Sequence, residues 1–169
     1  ERVTGVNRAI KFVSKDDPRV AQRDLDGVTR YQSLAHQHPH LIQILTVGET
    51  DRCFYYVMEA ADNRTPGPSG TYESMTLRSE MQTRGRFDVR EALQVTVKLA
   101  SAVQRLHQDG LAHNDLKPEN VLIVRGEPKI VDVGLAGDIG EVQSAGTRPY
   151  MAPEGKADDV YAIGKILYE

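Results

Sequence analysis

Residues 113 to 120 read His113-Asn114-Asp115-Leu116-Lys117-Pro118-Glu119-Asn120, and the chain reaches Asp132-Val133-Gly134 a short distance later. Asp115, Lys117 and Asn120 follow one another at spacings of two and three residues. These spacings do not place the three side chains on one face of a helix, and the proline favours a loop. We therefore expect a polar loop here, with the rest of the chain organised around it.

Two short apolar runs, 121–124 and 130–131, separate Asn120 from Asp132. The residues between the runs, 125–128, read Arg-Gly-Glu-Pro and predict a hairpin turn. Because a hairpin returns its end beside its beginning, we expect Asp132 to lie close to Asn120. The amide and carboxylate oxygens of this pair are ligands suited to Mg²⁺.

The loop and hairpin thus bring together two carboxylates, an amide and an amine. Phosphoryl transfer uses such a set: a carboxylate accepts the hydroxyl proton, a cation stabilises the migrating charge, and oxygens bind Mg²⁺. A solvated polar loop between two strands is the alternative interpretation.

Composition excludes several other classes. The 169 residues are 40% hydrophobic and 27% charged, which is typical of a globular domain, and the formal net charge of −3 argues against a nucleic-acid partner. The single cysteine, Cys53, excludes an internal disulfide and fits a reducing, cytoplasmic location. No run approaches the roughly 18 apolar residues of a spanning helix, so we expect no membrane segment within this chain.

The loop and the Asp132 motif resemble the catalytic loop and the Asp-Phe-Gly metal motif of the protein kinases. A second stretch, 146–154, reads Gly-Thr-Arg-Pro-Tyr-Met-Ala-Pro-Glu and is similar to the end of a kinase activation segment. Lys117 favours a serine/threonine-protein kinase over a kinase of small molecules. The resemblance implies an enzyme, a transferase that uses ATP and magnesium for phosphorylation of serine or threonine hydroxyls on a protein substrate.

The resemblance also implies site residues. Ala9-Ile10-Lys11 is similar to the strand whose lysine binds the α- and β-phosphates of ATP. Asp115 would accept the hydroxyl proton, Lys117 would contact the γ-phosphate, and Thr147 would line the substrate site. Asn120 and Asp132 would hold Mg²⁺.

Residues 56–61 resemble the kinase hinge, which binds the adenine base. Met58 would line the back of the adenine pocket, while the Glu59 carbonyl and the Ala61 amide would hydrogen-bond the base. Asp159 would hold the backbone of the catalytic loop.

Two expected kinase features are missing from this sequence. The glycine-rich loop that should precede Lys11 is not found, and no glutamate lies between Glu1 and Glu49 to pair with Lys11. Asp26 or Asp24 is the candidate replacement. These gaps favour an alternative, a pseudokinase or nucleotide-binding regulatory module without turnover. A small-molecule kinase is a further alternative, although the 146–154 stretch weighs against it.

The fold class expected is α+β, a protein-kinase-like two-lobe fold truncated at both ends. We expect a partial N-lobe and hinge over 1–61, an interlobe connection and short helix over 62–87, and a partial helical C-lobe with the catalytic loop and activation segment over 88–169. Local patterns predict strands at 8–13, 41–47 and 53–58, helices at 16–37 and 76–81, a longer helix capped by Asp88 and Glu91 and running to His107, and no regular element at 135–145.

Overall fold

The computed structural model describes residues 6–65, 71–132, 137–138, 146–155 and 158–169, with 137–138 described by their backbone alone. Helices and strands are mixed through these ranges, as the expected α+β class requires.

The N-terminal part is a three-stranded antiparallel sheet. Its strands are β1 (Arg8–Ser14), β2 (Ile44–Glu49) and β3 (Cys53–Glu59), in the spatial order β1-β3-β2. The strands predicted at 8–13 and 53–58 are confirmed, and Lys11 lies opposite Tyr56 in the register of β1 and β3.

The strand predicted from residue 41 is wrong in its first three residues, because β2 begins at Ile44. Residues 41 and 42 pair with a different part of the chain: Leu41 forms a bridge with Ile130, and the Ile42 amide donates to the Ile130 carbonyl at 3.0 Å. This long-range pairing joins the chain ahead of β2 to the hairpin that follows residues 113–120, the predicted catalytic loop.

Helix α1 (Pro18–Ala35) confirms the helix predicted at 16–37. Asp17 caps it, since its carboxylate accepts hydrogen bonds from the amides of Arg19 and Val20 at 3.0 and 3.3 Å. One face of the helix is buried and is formed by Ala21, Gly27, Val28, Tyr31, Leu34 and Ala35.

Three helices follow the sheet: α2 (Leu77–Arg84), α3 (Val89–Gln108) and α4 (Asp159–Tyr168). The Asp88 carboxylate caps α3 by accepting from the Glu91 amide at 2.9 Å. The predicted capping box is only half formed, because the Glu91 carboxylate binds Arg84 at 2.7 Å instead.

The hairpin after the catalytic loop consists of β5 (Val121–Val124) and β6 (Glu127–Ile130). Its turn is two residues long rather than the predicted four, with Arg125 and Gly126 at φ 55° and 76°. Pro128 lies within β6 and has no amide hydrogen to donate. A strand at the edge of a sheet tolerates proline, because its outward amides need no partner strand.

A short pair, β4 (Leu111–Ala112) and β7 (Gly137–Asp138), lies beside the catalytic loop. The prediction of no regular element at 135–145 is wrong at these two β7 residues. Backbone pairing with β4 creates the strand without any periodicity in the sequence.

The core is one cluster of buried apolar side chains that runs from the sheet to the helices. It includes Phe54 of β3, Val28 of α1, Leu99 of α3, Val121 of β5 and Ile166 of α4. Division of the chain at 61/62 and 87/88 stays a prediction. None of the helices in the described ranges is both long and apolar enough to cross a membrane.

Candidate active site

The catalytic loop is held by Asp159 at the start of α4. The amides of His113 and Asn114 donate to the two oxygens of the Asp159 carboxylate, each at 2.8 Å. His107 Nε2 lies 2.9 Å from Asp159 Oδ2. Burial acts to raise the pKa of Asp159, but the His107 contact, the positive field of His113 and the two amides outweigh it, so the pKa lies below its usual value. The expected contact between Asp159 and the loop backbone is confirmed.

Asp115, Lys117 and Thr147 form a closed triangle of hydrogen bonds. Lys117 Nζ donates to Asp115 Oδ2 at 2.7 Å and to Thr147 Oγ1 at 2.8 Å. Thr147 Oγ1 in turn donates to Asp115 Oδ1 at 2.7 Å. The triangle joins residues that are 32 positions apart in the chain. The structure therefore brings together three of the residues for which the sequence predicted a role in catalysis.

Asp115 is a carboxylate whose charge is stabilised by its neighbours. Partial burial acts to raise its pKa, but the hydrogen bonds from Lys117 and Thr147 and the positive field of Lys117 and His113 more than offset this. The pKa of Asp115 lies below its usual value as a result, and the group is ionised at neutral pH.

Asn120 adds a fourth side chain to this cluster. It ends a short 3₁₀ turn (Pro118–Asn120), and its Nδ2 donates to Asp115 O at 2.8 Å and to Asp115 Oδ2 at 3.1 Å. The Val131 amide donates to the Asn120 carbonyl at 3.0 Å, so Asp132 follows directly after a residue paired with Asn120. The predicted proximity of Asn120 and Asp132 along the hairpin backbone is thus present.

Asp132 and Lys11 form an ion pair that joins the hairpin to the sheet. Lys11 Nζ contacts Asp132 Oδ1, and each side chain is 38% exposed. Asp132 has a φ of 72°, a left-handed backbone conformation that is uncommon outside glycine and that clusters at functional sites. Val133 and Gly134 of the predicted motif lie outside the described residues.

Neither candidate acid of α1 contacts Lys11. Asp26 is exposed and accepts from Gln22 Nε2 at 2.9 Å, on the solvent side of the helix. Asp24 pairs with Arg23 at 3.2 Å, but its side chain is only 14% exposed. Asp26 is therefore wrong as the substitute for the missing glutamate, because it lies exposed on α1 and binds Gln22.

The predicted hinge lies at the end of β3. Met58 packs against the core cluster, and the Glu59 carboxylate is bound by Lys129 at 2.7 Å and by the Gln43 amide at 3.1 Å. The Ala61 carbonyl accepts from the Tyr72 hydroxyl at 2.9 Å. Within the described ranges no acceptor meets the Ala61 amide, which leaves this donor available to a base.

The oxygens around Asn120 and Asp132 match a hard divalent cation. Asn120 donates from its Nδ2 to Asp115. Its Oδ1 accepts no hydrogen bond from any residue that the structure describes. Asp132 pairs with Lys11 through Oδ1, and its second carboxylate oxygen, Oδ2, is not part of that ion pair. An amide oxygen and a carboxylate oxygen are a donor set that suits Mg²⁺, which retains several waters beside one or two protein ligands.

Tyr56 was not identified from the sequence, yet its hydroxyl lies in this region. The residue is 2% exposed, and its hydroxyl makes no hydrogen bond among the described residues. The signal available in the sequence was alternation along β3, which places Tyr56 on the same face as the proposed hinge residue Met58. Its position opposite Lys11 depends on strand register, which alternation alone does not determine.

Comparison with known proteins gives one consistent result. Residues 1–169 match the protein kinase domain family. The serine/threonine-protein kinase PrkC of Bacillus subtilis is 31% identical over 146 residues, covering 78% of this chain and 21% of that protein. The probable serine/threonine-protein kinase fhkD of Dictyostelium discoideum is 35% identical over 160 residues, covering 78% and 20%. Sperm motility kinase 2B of Mus musculus is 28% identical over 184 aligned positions, covering 99% and 34%. The chain thus spans between a fifth and about a third of the length of these relatives.

Proposed function

The chain belongs to the protein kinase domain family, and from this membership we propose that the whole protein transfers the γ-phosphoryl group of ATP to serine or threonine hydroxyls of proteins. The observation that carries the proposal is the triangle formed by Asp115, Lys117 and Thr147. It places a carboxylate, a cation and a hydroxyl within hydrogen-bond distance of one another.

Asp115 is suited to bind a substrate hydroxyl. A carboxylate offers about four lone-pair positions. Oδ2 accepts from Lys117 and Asn120, and Oδ1 accepts from Thr147. A position on Oδ1 is left for the hydroxyl of a substrate, which Asp115 would orient and whose proton it would accept during transfer.

Lys117 and Lys11 supply the positive charge. Lys117 uses two of its three N–H donors within the triangle, which leaves one for an oxygen of the migrating phosphoryl group. Lys11, on β1, would bind the α- and β-phosphates after leaving Asp132. Catalysis of this kind depends on positioning and charge stabilisation.

We assign Mg²⁺ to Asn120 and Asp132, since the Asn120 amide is already oriented by Asp115. When bound, the ion would neutralise charge on the phosphates. The adenine base would be bound by the Glu59 carbonyl and Ala61 amide, with Met58 at the back of the pocket. Cytoplasmic location stays a prediction that rests on the single cysteine, Cys53.

The protein substrate is inferred from three features. Lys117 follows Asp115 by two residues as in the serine/threonine kinases that the chain resembles, and PrkC and fhkD carry serine/threonine kinase in their names. The 146–154 stretch contributes Thr147 to the site and would form part of the surface that receives a peptide.

A pseudokinase without turnover is the second candidate, and one observation favours it. Lys11 is paired with Asp132 and with no acid of α1 in the described part of the chain. The intact triangle around Asp115 favours the enzyme, because a protein that only binds nucleotide has no need of an oriented carboxylate and lysine at the phosphoryl-acceptor side.

The test uses the natural full-length protein with radiolabelled ATP, Mg²⁺ and a generic protein substrate. Asp115→Ala should lower phosphate incorporation by about 10²- to 10⁴-fold, the usual contribution of a catalytic base. Thermal stabilisation by ATP should remain, since Asp115 does not contact the proposed base or α-phosphate sites. Asp51→Asn, in the exposed turn between β2 and β3, is the control and should leave both readouts unchanged. Absence of incorporation by the wild type, or normal incorporation by Asp115→Ala, would contradict the proposal.

A further inference from the structure

The Tyr56 hydroxyl is a buried polar group without a hydrogen-bond partner among the residues that the structure describes. The residue is 2% exposed, and no described group donates to or accepts from its oxygen. A buried hydroxyl left without a hydrogen bond is unfavourable, because it loses its contacts with water and gains none in return. Native structures satisfy nearly all such groups, so a specific exception of this kind indicates an unseen partner or a functional role.

Strand register places this hydroxyl beside the lysine of the proposed nucleotide site. Tyr56 and Lys11 are directly opposed in the antiparallel pair β1 and β3. Opposed residues of such a pair lie on the same face of the sheet with Cβ atoms about 4.5–5.5 Å apart. The side chain of Lys11, which is long and flexible, can therefore contact Tyr56 as an alternative to Asp132.

Helix α1 presents an acid to the same region. Asp24 precedes Val28 by one helical turn and Tyr31 by two, and both of these residues are fully buried. Asp24 thus lies on the core-facing side of α1, which agrees with its side chain being only 14% exposed. Asp26 lies on the exposed side and binds Gln22.

The phenol remains protonated and can therefore both accept and donate. Burial raises the pKa of Tyr56, and the negative charges of Asp132 and Asp24 raise it further. A neutral phenol between a lysine and a carboxylate can accept from the first and donate to the second.

We propose that Tyr56 is a positioning residue for Lys11 in the nucleotide-bound protein. Its oxygen accepts a hydrogen bond from the Lys11 ammonium when Asp132 is engaged by a metal ion, and its O–H donates to Asp24. The pair Tyr56 and Asp24 thereby takes the place of the glutamate that α1 lacks. The inference rests on the proposed function, since it assigns a role in the same nucleotide site.

Two effects of Tyr56→Phe on thermal stability, one without nucleotide and one with it, distinguish this role from a purely structural one. In the nucleotide-free protein no described residue satisfies the hydroxyl, so Tyr56→Phe should leave the melting temperature unchanged or raise it. In the presence of ATP and Mg²⁺ the same variant loses the hydrogen bond to Lys11. Its stabilisation by nucleotide should therefore be smaller than that of the wild type. A Tyr56 that only filled the core would show no such difference.

The experiment compares five variants of the full-length protein, two of them controls, by thermal melting with and without ATP and Mg²⁺, and by steady-state kinetics. Tyr56→Phe and Asp24→Asn should each raise the KM for ATP by about three- to tenfold, the range expected for one lost hydrogen bond. Both substitutions interrupt the same chain of contacts. The KM of the double variant should therefore exceed the KM of the more strongly affected single variant by no more than about twofold. The kcat at saturating ATP should change less than the KM.

Matched controls are provided by the neighbouring residues. Tyr55→Phe removes a hydroxyl from the other face of β3, and Asp26→Asn removes a charge from the exposed side of α1. Both should retain the wild-type KM. A wild-type KM in Tyr56→Phe, or an equal effect of Asp26→Asn and Asp24→Asn, would overturn the inference while leaving the proposed function intact. A wild type that neither binds ATP nor transfers phosphate would overturn the proposed function itself.

Discussion

At the scale of single residues, the contact between His107 and Asp159 makes the support of the catalytic loop dependent on pH. The hydrogen bond to Asp159 raises the pKa of His107, while partial burial acts in the opposite direction and the charges of Asp159 and Asp158 add to the increase. A raised pKa in the folded state means that protonation stabilises the fold. The stabilisation is complete below the ordinary histidine pKa of 6.5 and is lost as pH rises through the raised folded value.

We therefore expect His107→Gln to destabilise the protein most at mildly acidic pH, by about 1 kcal/mol or less because the imidazole is 34% exposed and screened by solvent. The difference from wild type should shrink toward zero as pH rises above neutrality. Urea unfolding from pH 5.5 to 8.5 measures it. His36→Gln, at an exposed position after α1, is the control. An equal loss for His107→Gln at every pH would show that its protonation contributes nothing.

At the residue scale, the sequence alone identified side chains that local spacing brings together. Asp115, Lys117 and Asn120 lie within six residues of one another, so the loop that contains them also brings them together. The sequence alone did not identify the partner of Lys11, because that contact joins residues 121 positions apart. Tyr56 was missed for the same reason: its importance follows from the register of two strands.

At the scale of elements, the turn between β5 and β6 contains backbone strain at Arg125 that a substitution can relieve. Arg125 and Gly126 have φ values of 55° and 76°, and the Asp62 carboxylate accepts from both turn amides at 2.8 Å. Glycine adopts this conformation readily, whereas a left-handed arginine costs roughly 1–2 kcal/mol. Asn-Gly is the preferred pair for a two-residue turn with both φ positive.

Arg125→Asn should therefore stabilise the chain by about 0.5–1 kcal/mol, and the melting temperature should rise by about 2–4 °C. The contacts with Asp62 involve the backbone and should persist. Differential scanning calorimetry measures the change. Arg125→Ala is the matched variant and should show no gain, since alanine disfavours the left-handed region as arginine does. Equal melting temperatures for all three proteins would argue against strain at this position.

Elements were predicted well in type and less well at their ends. The strands β1 and β3 show alternation, and α1 begins at Asp17 and Pro18, which suit a helix start, so local chemistry is sufficient to define these elements although the apolar stripe of α1 is irregular. Errors occur at the start of β2, in the hairpin turn and at β7. In each case backbone pairing or a long-range contact determines the end of the element, as with the bond between Ile42 and Ile130.

At the scale of the whole molecule, an apolar groove of about 370 Å³ lies where α2, α3 and α4 meet. Several large apolar residues in it are exposed, among them Val89 at 77%, Leu93 at 48% and Tyr168 at 83%. Isolated exposed apolar residues are ordinary on protein surfaces, whereas a contiguous patch promotes association. The groove is therefore a surface through which the 169-residue chain, produced alone, is expected to self-associate.

Replacing Leu93 and Tyr168 together by glutamate should reduce this association, because two charges in an apolar contact must be desolvated without partners. Sedimentation velocity over a concentration series compares the double variant with the wild type, and circular dichroism confirms that both are folded. Val20→Glu adds a charge at an apolar position on α1 that is 43% exposed and does not line the groove, and it should associate as the wild type does. If Val20→Glu reduced association as strongly as the double variant, net charge rather than the groove would govern it. A wild-type chain that stayed monomeric throughout the series would contradict the prediction directly, since its exposed face would then be too small or too interrupted to join two copies.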